Sequence, residues 1–255
     1  MIRRVVFNQK GGVGKTTIVC NLAAIAASRG LRTLVIDLDT QGNSTQYLLG
    51  PLAQTADRSI ADFFEATLSF SIQSPPFVTY ATNSPFENLD VVAASTRLDD
   101  LQVKLEAKQK VQKLNQALDK LKGYDAVFID TPPALNFYSR SALIAADRVL
   151  IPFDCDEFSR QALYTLIDNI HELRADHNED LSIEGIIVNQ FQSRAKLPQR
   201  VVAELRAEGQ PLLDASLSSS VRVKESHELH KPMIHLDPTH RVTQEYIALF
   251  DSLGR

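Results

Sequence analysis

The chain has 255 residues, of which 44% are hydrophobic and 23% charged, ordinary values for a globular protein. Its 27 Lys and Arg stand against 31 Asp and Glu, a net charge of −4 that excludes a globally basic nucleic-acid coat but leaves a local basic patch open. The two cysteines, Cys20 and Cys155, lie far apart with no C-x-x-C, which excludes a zinc ribbon and points to reduced, packed thiols of a cytoplasmic protein.

The elements alternate along the chain. Arg3–Asn8 reads as a strand; its apolar run stops at Asn8, too short for a leader sequence. Thr16–Ser28 reads as a helix with Leu22, Ala23, Ala26 and Ala27 on its apolar side, closed by Gly30 just past its end. Thr33–Ile36 is a second strand. Ala66–Asn88, rich in Ser, Pro and Thr, reads as a surface excursion. Leu89–Ala93, Ala126–Ile129, Val149–Ile151 and Ile183–Val188 are further strands, several apolar throughout, as parallel strands covered on both faces are. Helical patterns at Leu98–Leu121, Tyr138–Ala146, Ala162–Asp176 and Pro198–Glu208 separate them. The expectation is an α/β fold, a doubly wound and mostly parallel sheet flanked by helices, in one domain over 1–255. No stretch approaches the ~18 apolar residues of a membrane span.

The strongest motif is Asn8-Gln9-Lys10-Gly11-Gly12-Val13-Gly14-Lys15-Thr16-Thr17, between the first strand and the first helix. A glycine-rich turn there presents backbone N–H groups and a helix N-terminus to phosphate. Gly11, Gly12 and Gly14 allow close backbone approach. Lys15 is expected on the β and γ phosphates and Thr16 on Mg²⁺. The pattern G-x-x-x-x-G-K-[ST] is imperfect, because its first glycine falls on Gln9; a second lysine, Lys10, heads the loop instead.

Lys10–Thr17 resembles the deviant Walker A motif of the ParA/Soj-type partition ATPases and their MinD relatives, which share a P-loop NTPase-like fold. The resemblance continues through Val35–Thr45, with Thr40 where the family usually has Pro, and through the Walker B-like Val127–Pro133. It extends to Ile151–Asp156, with Asp154 where Gln is common, and to Val221–Glu225 and Lys231-Pro232. The resemblance implies ATP and Mg²⁺ as ligands. Val13 joins the glycines in the loop, and Thr17 meets the α phosphate. Lys10 reaches the partner subunit's nucleotide in an ATP-bound homodimer; otherwise it is a solvated loop lysine. Asp39 positions the attacking water, although Asp37 remains a candidate for that work. Thr16, Asp39 and Asp130 are the expected magnesium set, and Lys10, Lys15 and Asp39 the catalytic one. Gln41–Thr45 and Thr131–Pro133 become switch segments sensing the γ phosphate. Asn189 contacts adenine or, in the plainer reading, caps a turn.

The same resemblance implies nonspecific DNA binding. Arg194 and Arg222 match the family's DNA-binding arginines, and Lys196, Arg200 and Lys224 lie beside them, with Arg222 and Lys224 expected in a turn. Charge alone does not mark this region: 194–231 holds seven Lys/Arg against five Asp/Glu. The run Lys104–Lys122, with six Lys against two acids, reads as a solvated helix face. The expected function is an ATPase switch, stimulated by a ParB-like partner, that positions DNA or another cargo in the cytoplasm, on the nucleoid when ATP is bound. A MinD-like membrane-surface ATPase is the alternative, but Gln244–Arg255 carries one basic residue and two acids and reads better as a packed terminal helix. An electron-transfer ATPase fails because Cys20 falls inside the first helix. A metabolic P-loop enzyme remains open.

Overall fold

The computed structural model describes residues 1–69, 75–155, 157–192 and 194–254; residues 70–74 of the expected excursion, Asp156 and Arg255 lie outside the described residues. Its centre is a seven-stranded sheet. The strands are β1 (Ile2–Val6), β2 (Thr33–Asp37), β3 (Ala81–Asn83), β4 (Leu89–Val92), β5 (Ala126–Asp130), β6 (Arg148–Asp154) and β7 (Ser182–Asn189), in the order β3-β4-β2-β5-β1-β6-β7. Only β3 runs antiparallel, against β4. The expected doubly wound sheet is therefore present, with an added edge strand.

Alternation along each strand sends side chains to two cores. Val5, Leu34, Ile36, Val127, Ile129 and Ile151 face one. Val6, Val35, Phe128, Leu150 and Ile187 face the other. On the second face lie α1 (Lys15–Ser28) and α2 (Asn43–Leu49). The first face is covered by α3 (Ile60–Leu68), α4 (Arg97–Ala107), α5 (Lys113–Leu118), α6 (Phe137–Ala145) and α7 (Glu157–His177). There follow α8 (Lys196–Ala207), α9 (Val221–Glu228), α10 (Met233–Leu236) and α11 (Arg241–Ser252). Helix α1 is buried nearly all round, because it sits between the sheet and α11, and its alanines admit both at close range. Gly30 ends it in the left-handed conformation, its N–H donating to Ala27 at 2.9 Å, as the sequence implies.

Three expectations change. The single helix over Leu98–Leu121 is two, because Gln109 turns to φ 50° and the Lys110 N–H closes on Leu105. The nine-residue gap from Leu105 to Leu114 would rotate them about 180° apart on one continuous helix. The break lets Leu98, Leu101, Leu105, Leu114 and Leu118 all reach the core. The excursion over Ala66–Asn88 is not wholly at the surface: Phe77 and Tyr80 are buried in a short 3-10 turn against Phe63, and β3 follows. Arg222 and Lys224 lie in α9, not in a turn, because Ser220 caps that helix by accepting the Arg222 N–H at 3.1 Å. The terminal segment is a packed helix as expected, with Val242, Tyr246 and Leu249 of α11 buried.

Candidate nucleotide site and basic surfaces

The parallel strands bring their carboxyl ends to one edge, where open α/β sheets hold ligands. The register sets Asp130 beside both Val6 and Asp37. Residues from the ends of β1, β2 and β5 therefore meet around one cavity of about 440 Å³, lined by Gly11, Gly12, Gly14, Lys15, Thr16, Thr17, Asp39, Gln41, Asn43, Pro133 and His227.

The loop between β1 and α1 takes its shape from two left-handed glycines, Gly12 at φ 78° and Gly14 at φ 89°. Gly14 is also under steric constraint: an added Cβ would collide with the Asn189 side-chain amide. That amide donates to the Val13 carbonyl at 2.8 Å, and the Gln190 amide donates to the Gly12 carbonyl at 3.0 Å. The end of β7 thus clamps the loop from behind. In front, nothing lies within 4 Å of a Cβ built on Gly11 or Gly12. No side chain caps α1 and no acid occupies its first turn, so its N–H groups are offered to an anion.

Lys15 is buried and its ammonium donates to the Lys10 carbonyl at 3.1 Å. Burial pulls its pKa below the ordinary lysine value, against the opposing charges of Asp130 and Asp39. Thr16 Oγ1 and Ser44 Oγ both donate to Asp130 Oδ2 at 2.7 Å. Asp37 lies fully buried beneath. Its Oδ2 accepts Thr45 N–H at 2.8 Å and Thr45 Oγ1 at 2.7 Å, while Oδ1 accepts the Asp39 N–H at 3.2 Å. Asp39 stands at the pocket wall and accepts the Gln41 N–H at 3.0 Å. Burial drives the carboxyl pKa values of Asp37 and Asp130 upward, and the charge of Asp130 adds to the shift at Asp37. A cation in the pocket would relieve that strain. The donors around Asp130 are oxygens, which suits magnesium. The open glycine backbone, helix terminus and Lys15 suit a phosphate chain, so nucleotide and metal both fit the residues present.

Lys10 is placed at the rim. Its ammonium pairs with Asp154 at 2.6 Å, the two side chains 39% and 26% exposed. Asn8 braces that turn, accepting the Lys10 N–H at 2.9 Å and donating to the Pro152 carbonyl at 2.7 Å. Thr131, in the second switch segment, donates to the Val6 carbonyl at 2.8 Å. Asn189 sits behind the loop as the last residue of β7. Cys20 is buried with its thiol pKa pushed up by desolvation, and Cys155 packs half-buried against the core.

The basic residues form two groups on two helices. Arg194, Lys196 and Arg200 lie at and before the start of α8, all exposed, with Arg200 paired to Glu204 at 3.7 Å. In α9, Lys224 is exposed and Arg222 pairs with Glu225 at 2.8 Å and Asp237 at 3.7 Å. The site residues that the sequence did not single out are Ser44, Gln190 and His227. Ser44 falls within a segment already marked by its motif; His227 has no local signal, because only the tertiary fold brings α9 to the pocket. Among the described residues no helix is long and apolar enough to cross a membrane, and no cluster of three or more His, Cys, Asp or Glu is placed to hold a metal alone.

Known proteins resemble this chain over most of its length. A family model described as an AAA domain, AAA_31, matches residues 3–183. The chromosome partitioning protein ParA of Myxococcus xanthus is 35% identical over 245 residues, which cover 95% of this chain and 84% of that protein. The sporulation initiation inhibitor protein Soj of Bacillus subtilis is 31% identical over 245 residues, 95% of this chain and 94% of that protein. A putative plasmid partition protein from Borrelia burgdorferi, solved bound to AMPPNP, shares the fold at a TM-score of 0.81 and 21% identity, over 98% of this chain and 97% of that one. A cobyrinic acid a,c-diamide synthase from Mycobacterium smegmatis, solved with an ATP analogue and magnesium, is 25% identical at a TM-score of 0.77, over 90% of this chain and 93% of that one. With matches of this extent along nearly its whole length, the chain belongs to the ParA/Soj family of partition ATPases.

Proposed function

We propose that the chain is an ATP-driven switch. Two copies close on ATP, the dimer binds DNA without sequence preference, and hydrolysis releases it, so that DNA or another cargo is partitioned or positioned. The observation that carries this reading is the convergence of Lys15, Thr16 and Asp39 on one pocket, with Asp130 bonded behind Thr16 and a second lysine, Lys10, heading the loop.

In this reading the N–H groups of Gly11 to Thr17 and the Lys15 ammonium hold the phosphates, and the Thr17 hydroxyl takes an α-phosphate oxygen. Thr16 and Asp130, with Asp39 nearby, would hold a magnesium ion, which would supply charge neutralisation to the phosphate chain. Asp39 orients the attacking water. Asp37 holds the Asp39 turn and the Thr45 end of the first switch segment, which suits a supporting role. Asn189, its amide nitrogen already engaged with the loop, offers Oδ1 to the adenine amino group. Lys10 leaves Asp154 and reaches the partner's nucleotide, which makes dimer closure depend on ATP. Arg194, Lys196, Arg200, Arg222 and Lys224 contact phosphates, weakly in one copy and together in two. A ParB-like partner stimulates hydrolysis. The protein works in the cytoplasm and joins the nucleoid when ATP is bound. A membrane-surface role has less support, since α11 turns its apolar residues inward.

The test is fluorescence anisotropy on a nonspecific duplex with ATP, ADP or no nucleotide, at two salt concentrations. Salt-sensitive binding with ATP alone is the expected result. Absence of binding in every state, with hydrolysis intact, would remove DNA from the reading and leave a protein-scaffold or membrane-surface ATPase.

A further inference from the structure

Helix α9 carries Arg222 and Lys224 at one end and touches the phosphate pocket at the other. His227 lines that pocket, its Nε2 3.1 Å from Thr17 Oγ1. Its ring stacks on Tyr47, with centroids 4.0 Å apart and planes 14° from parallel. Tyr47 belongs to α2, the helix built on the first switch segment. The Tyr47 hydroxyl lies 2.7 Å from Ser226 Oγ, and Ser226 donates to the Val223 carbonyl at 2.6 Å. Asn21 of α1 donates to Tyr47 and accepts the Met233 N–H at 2.8 Å, tying the start of α10 to the same cluster. Tyr47, Ser226 and Asn21 are buried. A buried, satisfied polar network has few alternative arrangements, so a change at one member is felt by the others.

The chemistry at Thr17 supplies such a change. A neutral imidazole has one donor and one acceptor nitrogen, and a hydroxyl has a single proton. Phosphate oxygens only accept. A Thr17 hydroxyl that turns its proton to phosphate keeps its bond to His227 only by accepting from Nε2–H. Where that bond is kept, bound nucleotide requires the Nε2–H tautomer of His227.

We propose that His227 is a positioning residue that transmits nucleotide occupancy from Thr17 to helix α9 and so sets the placement of Arg222 and Lys224. The inference rests on the reading of the pocket as a nucleotide site coupled to DNA.

The experiment compares wild type, His227→Ala and His227→Gln at saturating ADP or a non-hydrolysable ATP analogue with Mg²⁺. Saturation is set by titrating a fluorescent nucleotide, and folding is checked by circular dichroism. In wild type, nucleotide slows hydrogen exchange in residues 221–228 by about fivefold or more. In His227→Ala the slowing drops below about twofold, and His227→Gln, which keeps an amide donor near the Nε2 position, recovers part of it. Imidazole nitrogen NMR of wild type shows His227 Nε2 becoming the protonated nitrogen when nucleotide binds. Equal protection of 221–228 in wild type and His227→Ala overturns the proposal. Should His227→Ala fail to fold, an Nε2 signal unmoved by nucleotide overturns it instead. Nucleotide-dependent protection that survives without any DNA binding by wild type supports the relay and defeats the DNA reading; a wild type that binds no nucleotide defeats both.

Discussion

The carboxyl edge of β1, β2 and β5 differs in kind from the basic faces of α8 and α9. At the edge, each functional side chain is held by named bonds: Thr16 and Ser44 on Asp130, Thr45 on Asp37, Asn189 on the loop carbonyl. Strand register alone sets Asp37 beside Asp130. On the helices the cations stand in solvent, and two of them answer to acids of their own helix, Arg200 to Glu204 and Arg222 to Glu225. In the proposed reading, one region is arranged for a phosphate chain and its counter-ion before any ligand arrives. The other presents loosely held charge that many phosphate arrangements satisfy. Tight chemistry and sequence-tolerant binding ask for those opposite constructions.

Removing the buried charge at the centre of the site tests this difference most directly. Lys15→Ala should lower nucleotide affinity by about a hundredfold or more, since the phosphates lose their buried cation. Titration with a fluorescent nucleotide measures it, and near-normal affinity would mean that the helix terminus and glycines suffice. Asp39→Ala should keep ATP but cut turnover by about a hundredfold, because positioning dominates phosphoryl transfer. Size-exclusion chromatography in saturating ATP should then show an accumulated dimer, and a monomer under those conditions would contradict the switch. Gly14→Ala attacks the scaffold itself. A left-handed position and the crowding Asn189 amide together should cost about 2 kcal/mol, read as a lower denaturation midpoint.

These residues were legible in the sequence because their order, strand then glycine loop then helix, is itself the geometry. The sheet was legible for a related reason: strands apolar on both faces have few other homes. What escaped was decided by rotation and by contacts distant in sequence. The Leu98–Leu121 pattern reads as one helix until the phase between Leu105 and Leu114 is counted, and only then does the break at Gln109 follow. Phe77 and Tyr80 sit in a stretch that reads as polar loop, yet Phe63 gives them a surface to cover. His227 lies 210 residues from Thr17 in sequence, so no local pattern could have joined them.

Lys10, at the rim of the nucleotide loop, is held by exposed contacts rather than buried ones. Its pair with Asp154 is half exposed, and such pairs are worth roughly 0.2–1 kcal/mol. Asp154→Asn keeps the shape and removes one negative charge beside the lysine. ATP-dependent dimerisation should then strengthen about two- to fivefold in sedimentation equilibrium, because Lys10 gives up one ion pair fewer on crossing the interface. Weaker dimerisation would mean that Asp154 aims Lys10 rather than restrains it.

The smallest effect is expected on the helix surface. Arg222 faces Glu225 and Asp237, so any phosphate must compete with two carboxylates for its guanidinium. Arg222→Ala should weaken ATP-dependent DNA binding only about two- to threefold, while flattening the log–log salt dependence by about one contact per copy, or two per dimer. Glu225→Gln, which removes the nearer competitor, should move affinity the opposite way by a similar factor. The two variants together separate a phosphate contact from a structural ion pair. If Arg222 only braces α9 against Asp237, both substitutions loosen the helix and neither changes the salt slope. If it touches DNA, the slope changes with Arg222 and the affinity rises without Glu225, and the loosely held charge of α9 is then the part of the surface that DNA reads.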